Sequence, residues 1–380
     1  MYPKVYLKKE EFFHRKHPWI FSGALEKLNN QWHNSPVYVC NQKGQVVATG
    51  YYQNSSIAVK ILSFKEEIIN LDFWIKKIEN AYHYRQHINA FNSTTNAYRL
   101  IFAEADEIPG LIIDNYNGYF VFQAHTEFIY QQKAHIIQAL QYVFKEHYKS
   151  IYDVSEWCKD QENQDIPNDT IILENGLQFY VNWREGQKTG FFLDQKNNRQ
   201  CLRMYSKGKV VLNTFAYSGG FSVYAAAGQC KEVHSVDSSE KAIEWAKRNM
   251  HLNGFDSIHQ SYVADVFEFL KNVEKDKYDI IVLDPPAFAK SVHHKHTAVQ
   301  AYKRLNTLAL QKIKSGGFLF TFSCSGVVDK QLFYNTIFAA CFESKRKIKI
   351  LEYLHLPADH PVIPNFPEGE YLKGMVLYVE

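Results

Sequence analysis

The chain of 380 residues is too long for one ordinary domain, and an apolar content of 46% can fill more than one core. Its 43 Lys and Arg stand against 40 Asp and Glu, a net charge of +3, so whole-chain charge demands no nucleic-acid partner. Cys40, Cys158, Cys201, Cys230, Cys324 and Cys341 are scattered without a C-x-x-C pair, which argues against a zinc knuckle or a dense disulfide framework, and no metal site is expected.

The first residues carry charge rather than an apolar h-region, and no run approaches the ~18 apolar residues of a membrane span. The expectation is a cytoplasmic protein with no membrane segment. Residues 1–68 read as a small β-barrel of short strands. Pro18–Phe21 leads into the Ser22-Gly23 turn, Val37–Cys40 and Val46–Thr49 flank a hairpin-like loop, and Ile57–Leu62 alternates. Within residues 1–70, nine Lys and Arg oppose five Asp and Glu, a local excess of four positive charges compatible with a phosphate-facing patch. Lys4, Lys8, Lys9, Arg15 and Lys16 lead that patch, which by charge alone reads more readily as a solvated basic face.

Residues 69–184 read as a central α+β unit. Leu71–Gln86 is helical by spacing, and Tyr98–Ala103, Gly110–Asp114 and Tyr119–Gln123 are strand-like. A helix around Phe128–Phe144 and strands near Ile151–Val154, Thr170–Leu173 and Leu177–Val181 follow, and the polar stretch Lys159–Asp169 reads as an exposed loop. Residues 185–380 become regular β/α alternation, with strands expected at 209–213, 232–236, 259–263, 278–283 and 317–322. Ser239–Leu252 is the clearest helix. The closing pair Ile348–Leu354 and Gly374–Val379 is expected to be antiparallel.

Val210–Asp237 carries the binding signal. A buried strand, a tight turn at Gly219-Gly220, a small-residue helix and a second strand ending in Asp237 suit a nucleotide-like ligand. The turn is not G-x-G-x-x-G, so a pyrophosphate cradle is poorly supported and a ribose-bearing ligand without one, S-adenosylmethionine, fits better. Asn213, Asp237, Asp265 and Asp284 all fall at expected strand ends. One such Asp is ordinarily a helix cap, whereas four in succession converge on one crevice. Asp237 suits ribose hydroxyls and Asp265 the adenine amino group.

Asp284-Pro285-Pro286 holds the chain extended beyond a buried strand, where a base can meet a carboxylate and a carbonyl. A lone cysteine is ordinarily an inert core residue, but Cys324 follows the next strand and shares that edge. A thiolate adding to C6 of cytosine turns C5, a poor nucleophile, into one able to attack a sulfonium methyl. His293-His294-Lys295-His296 is crowded on a polar stretch without partners at zinc spacing and reads as a solvated loop. Gly186–Gln195 suits either a loop over a ligand or a linker with a cap.

Together these segments make the chain resemble the RlmI-type family of bacterial 23S ribosomal RNA 5-methylcytosine methyltransferases over essentially its full length. The carriers are residues 17–24 (His-Pro-Trp-Ile-Phe-Ser-Gly-Ala), 104–114, 188–195 (Lys-Thr-Gly-Phe-Phe-Leu-Asp-Gln), 213–220, Asp-Pro-Pro-Ala-Phe at 284–288 and Ser-Cys-Ser-Gly at 323–326. The resemblance implies an RNA-binding PUA domain, a strand-strand-helix-strand-strand domain, and a Rossmann-like class I methyltransferase domain with a mostly parallel seven-stranded sheet. It implies Cys324 as nucleophile with Asp284 on the base, and places Thr189, Phe191 and Gln195 on the cofactor side. Asn213, Tyr217, Gly219, Asp237, Ser238, Asp265 and Val266 complete the expected cofactor set. The segment from His360 to Lys373 is implied to lie beside the active site. The implied partner is 23S rRNA, and oligomeric state stays open, a homodimer included. Ala287 and Phe322 stand where many relatives carry a second cysteine, so no second thiol is assigned to product release. Two alternatives stand beside this reading: methylation of a base nitrogen such as guanine N7, and a non-catalytic RNA-binding assembly factor.

Overall fold

The computed structural model describes residues 1–380 apart from 10, 27, 159–166 and 290 and the side chains of Phe12 and Val292. Most of the expected polar loop Lys159–Asp169 therefore lies outside the described residues. The chain divides into two compact units. One comprises residues 1–172, 181–191 and 358–369, and the other 173–180, 192–357 and 370–380.

In the first unit, β1 (Lys4–Tyr6), α1 (Glu11–His14), β2 (Trp19–Phe21), β3 (Ser35–Cys40), β4 (Val46–Tyr52) and β5 (Ile57–Ser63) come first. Their strands form a five-stranded sheet in the order β1-β3-β4-β5-β2. Next come α2 (Leu71–His87), β6 (Ala97–Phe102), β7 (Leu111–Tyr116), β8 (Tyr119–Ala124), α3 (Glu127–Gln131), α4 (Lys133–Phe144) and β9 (Ser150–Asp153). The helix expected around 128–144 is thus two, and the three strands expected before it are present as β6, β7 and β8. The sheet order is β6-β7-β8-β9. Each sheet has its own core, and Tyr51 and Leu62 of the first reach into that of the second: Tyr51 stacks on Phe128 at 4.4 Å and donates its hydroxyl to the Pro109 carbonyl at 2.9 Å. Trp19 also donates to Glu104 at 2.9 Å. Rings this large carry enough buried area to merge two sequence segments into one packed body.

β10 (Asp169–Glu174) and β11 (Leu177–Asn182) form a two-stranded ribbon. Its middle, residues 173–180, belongs to the second unit, where the Tyr180 amide donates to Asn249 at 2.7 Å. The division 1–68, 69–184 and 185–380 remains our proposal for the domains, while packing groups the chain into two bodies.

The second unit alternates helix and strand: α5 (Lys196–Tyr205), β12 (Val210–Thr214), α6 (Gly220–Ala227), β13 (Glu232–Asp237), α7 (Glu240–Leu252), β14 (His259–Val263), α8 (Val266–Asn272) and β15 (Ile280–Leu283). It continues with α9 (Lys295–Lys312), β16 (Gly317–Ser323), α10 (Lys330–Ser344), β17 (Ile348–His355) and β18 (Lys373–Val379). The sheet order is β14-β13-β12-β15-β16-β18-β17, seven strands, parallel as far as β16 and antiparallel at β18 and β17. Strand order reverses at β12, so the ligand crevice of such a sheet opens at the carboxyl ends of β12 and its neighbours. All of β15 is buried, consistent with a strand covered on both faces. Leu212, Ile281, Leu283, Tyr302, Leu319 and Phe333 form part of its core. Each such side chain contributes roughly 1.5–3 kcal/mol of burial, which fixes the strand ends that carry the polar groups. The His293–His296 tract is helical rather than a loop, a 3-10 turn (Val292–His294) running into α9.

Candidate active site

Asp284 stands immediately after β15, and its Oδ1 accepts a hydrogen bond from Gln195 Nε2 at 3.0 Å. Gln195 is itself buried and accepts from Asn198 Nδ2 at 2.6 Å. Two residues quoted from distant motifs therefore meet, and the amide leaves Asp284 oriented rather than free to swing. Cys324 follows β16 and is half-buried. Its thiol donates to the Pro285 carbonyl at 3.7 Å, next to Asp284. Ser325 donates to the Ala289 carbonyl at 2.9 Å, so the loops after β15 and β16 are tied side by side. Tyr302 from α9 packs beneath them. Burial pushes its phenol up to about 12, with the charges of Cys324 and Asp284 adding and a Ser323 hydrogen bond opposing.

The turn after β12 is tightly wound. Phe215, Tyr217 and Gly219 have φ values of 53°, 46° and 77°. At Gly219 a Cβ would lie 3.0 Å from Ala246 Cβ, so the glycine serves both conformation and close helix packing. Tyr217 and Gly219 are thus brought to this edge. Asp237 ends β13, accepting from the Tyr217 amide at 2.9 Å and from the Ser239 amide at 2.9 Å. Ser238 is exposed beside it. Asp265 caps α8, its Oδ1 accepting from the Glu268 amide at 3.0 Å, while Val266 is buried below.

Three expected residues have partners of their own within the fold. Asn213 is buried and donates to Ser222 Oγ at 2.9 Å, the start of a polar chain running through Ser235 to His259. Its role there is to tie β12 to α6. Thr189 and Phe191 belong to the first unit. Thr189 Oγ1 donates to Asp114 at 2.6 Å and Phe191 accepts from Tyr116 through its carbonyl at 3.3 Å, which fixes the 181–191 segment to β7.

Sequence reasoning missed Arg199 as a holder of this region. Its guanidinium forms a buried pair with Glu174 through bonds of 2.8 and 2.7 Å and also donates to the Phe192 carbonyl at 2.9 Å. Burial acts to lower the Arg199 pKa, but the charge and hydrogen bonds of Glu174, with Tyr224 and Asp194, together raise it, so the pair stays ionised. Tyr371 belongs to the segment implied to lie beside the active site, but its partner was not foreseen: it donates to Asp194 at 2.6 Å, one residue before Gln195. No local pattern signals either contact, since each partner is remote in sequence.

Comparison with known proteins decides what this edge belongs to. Residues 130–367 match the family described as S-adenosylmethionine-dependent methyltransferase, and residues 5–64 match a PUA-like domain. A protein of Aeromonas hydrophila named ribosomal RNA large subunit methyltransferase I is 39% identical, covering 99% of both chains. Its namesake in Erwinia tasmaniensis is 35% identical over 98% of this chain and 97% of its own. The chain belongs to the ribosomal RNA large subunit methyltransferase I family.

Solved structures agree with that membership. A methyltransferase crystallised with S-adenosylhomocysteine superposes with a TM-score of 0.85 at 27% identity, covering 99% of each chain. A methyltransferase from Streptococcus mutans gives 0.85 at 26% identity over the same coverage. The methyl donor of this family member is S-adenosylmethionine, and the residues present fit it. Asp237 keeps further acceptor lone pairs beyond its two backbone bonds, suited to ribose hydroxyls. Asp265 is exposed, and its Oδ2 has no hydrogen bond among the described residues. Asp237 and Ser238 thus stand at the end of β13 and Asp265 just after β14, while Gln195, Asp284 and Cys324 lie together beyond β15 and β16. No helix is long and apolar enough to cross a membrane among the described residues.

Proposed function

We propose that this chain methylates C5 of a cytosine in 23S ribosomal RNA, with Cys324 as the covalent nucleophile. The ribosomal substrate and the cytoplasmic setting it requires are supported by the names of relatives matched over their whole length. The observation that carries the chemistry is the placement of the Cys324 thiol on the Pro285 carbonyl, next to an Asp284 held by Gln195. Thiol and carboxylate thus follow two adjacent parallel strands, β16 and β15.

When bound, S-adenosylmethionine supplies an electrophilic sulfonium methyl whose C–S electron pair stays on sulfur as the methyl leaves. The Cys324 thiolate forms a bond to C6, and the displaced π pair renders C5 nucleophilic. Asp284 in its acid form donates its proton to N3 as negative charge develops on the ring, and takes it back when the thiolate leaves. C5 takes the methyl group, its proton is removed by a base, and the returning electron pair expels the thiolate. Gln195 keeps Asp284 aimed at the ring edge throughout.

Nucleoside mass analysis of 23S rRNA methylated by the purified protein tests the proposal. The expected product is 5-methylcytidine, abolished in Cys324→Ala while S-adenosylhomocysteine binding by calorimetry survives. Formation of 7-methylguanosine, or full turnover by Cys324→Ala, would contradict it.

A further inference from the structure

Lys373 begins β18 and is only 3% exposed. It sits opposite Ser323, the residue before Cys324, in the β16–β18 ladder. Its Nζ donates to the Ser325 carbonyl at 2.6 Å and also to the Val328 carbonyl, bracketing the loop that leaves Cys324. An ammonium this buried normally sits on a carboxylate, because desolvating an unpaired charge costs several kcal/mol. Here no carboxylate lies within ion-pair distance among the described residues. Asp329 is instead engaged with Lys295 at 3.6 Å and Glu370 with Lys330 at 3.5 Å, both at the surface. From the other side, His355 of β17 is the ladder partner of Lys373 and is exposed. Besides these two surface carboxylates, the group near Lys373 able to carry negative charge is the thiol of Cys324, which acts on it more strongly than either.

We propose that Lys373 is a positioning residue that holds the Cys324 loop by two carbonyl hydrogen bonds and stabilises the Cys324 thiolate with its charge. The inference rests on Cys324 being the nucleophile. Burial pulls the Lys373 pKa down to about 8, while Cys324, Asp329 and Glu370 act to raise it. A thiolate and an ammonium so placed titrate as a pair, each favouring the other's charged form. The charge is present below about pH 8, where a free thiol would be largely protonated. Its use is to make the thiolate available at neutral pH.

The test reads thiol ionisation rather than turnover. Alkylation of Cys324 by iodoacetamide is followed from pH 6 to 10 by peptide mass spectrometry in the full chain. The wild-type midpoint is expected below the ordinary thiol value of about 8.5. Lys373→Met is expected to raise it by about one unit or more, near tenfold slower alkylation at neutral pH, and Lys373→Arg to restore most of the shift. S-adenosylhomocysteine binding checks that each variant is folded. An unchanged midpoint in folded Lys373→Met overturns the proposal. If that variant does not fold, a wild-type midpoint at or above 8.5 overturns it and a lower one retained by Lys373→Arg supports it. Failure of the catalytic reading is seen separately, as an active Cys324→Ala.

Discussion

Asp265 shows how one side chain serves two purposes. Its Oδ1 caps α8 through the Glu268 amide, while the other oxygen remains available at the strand-end edge. Asp265→Ala should therefore cost about 1 kcal/mol of stability through the lost cap. It should also weaken S-adenosylhomocysteine binding about tenfold, the value of one lost hydrogen bond to a charged group. Calorimetry beside urea denaturation separates the two, and unchanged affinity with reduced stability would make Asp265 a cap alone. The sequence made the acids legible because each follows an apolar run. It did not reveal that Asn213, in the same kind of position, would turn inward to Ser222, since that choice depends on which α6 side chain lies beneath. Lys373 was legible only as part of a resembling segment, because a buried lysine has no sequence signature.

The parallel strands β13 and β14 carry a polar chain that responds to acid. His259 accepts or donates to Ser235 at 2.8 Å, and His234 bonds Tyr278 at 2.7 Å and Glu232 at 2.8 Å. Burial lowers both histidine pKa values, that of His259 to about 4. A histidine lowered in the fold is protonated first in the unfolded chain, so stability is full above about pH 6.5 and declines towards pH 4. Moving from pH 7 to pH 5 should cost about 1 kcal/mol through His259, a figure reduced for its partial exposure. Urea midpoints of the wild type and His259→Gln at the two pH values measure it, and equal pH dependence in both would refute the assignment. At this scale the β/α alternation of residues 209–323 was readable, because apolar runs bounded by turn residues dictate buried parallel strands. The antiparallel closure of β17 and β18 was readable because their connection carries no helical pattern of the kind a parallel crossover needs. The split of residues 128–144 into α3 and α4 was not, since Gln132 interrupts no apolar pattern.

Across the whole molecule, the sequence suggests three segments where packing makes two bodies. Tyr51 stacked on Phe128 and Trp19 bonded to Glu104 join residues far apart in the chain, which no local composition shift can announce. The same holds for residues 173–180, drawn to the second unit by the Asn249 side chain. Within that unit Cys324, Asp284 and Gln195 come from three separate segments to one edge, and the proposed covalent step depends on this convergence. A 23S RNA fragment containing 5-fluorocytidine at the target tests it most directly, because a C5–F bond cannot release a proton and the thiol adduct persists. With S-adenosylmethionine present, the wild type should yield an RNA–protein adduct whose cross-linked peptide carries Cys324, and Cys324→Ala should yield none. No adduct from a wild-type protein that methylates the unmodified fragment, or an adduct of equal yield in Cys324→Ala, would contradict the account.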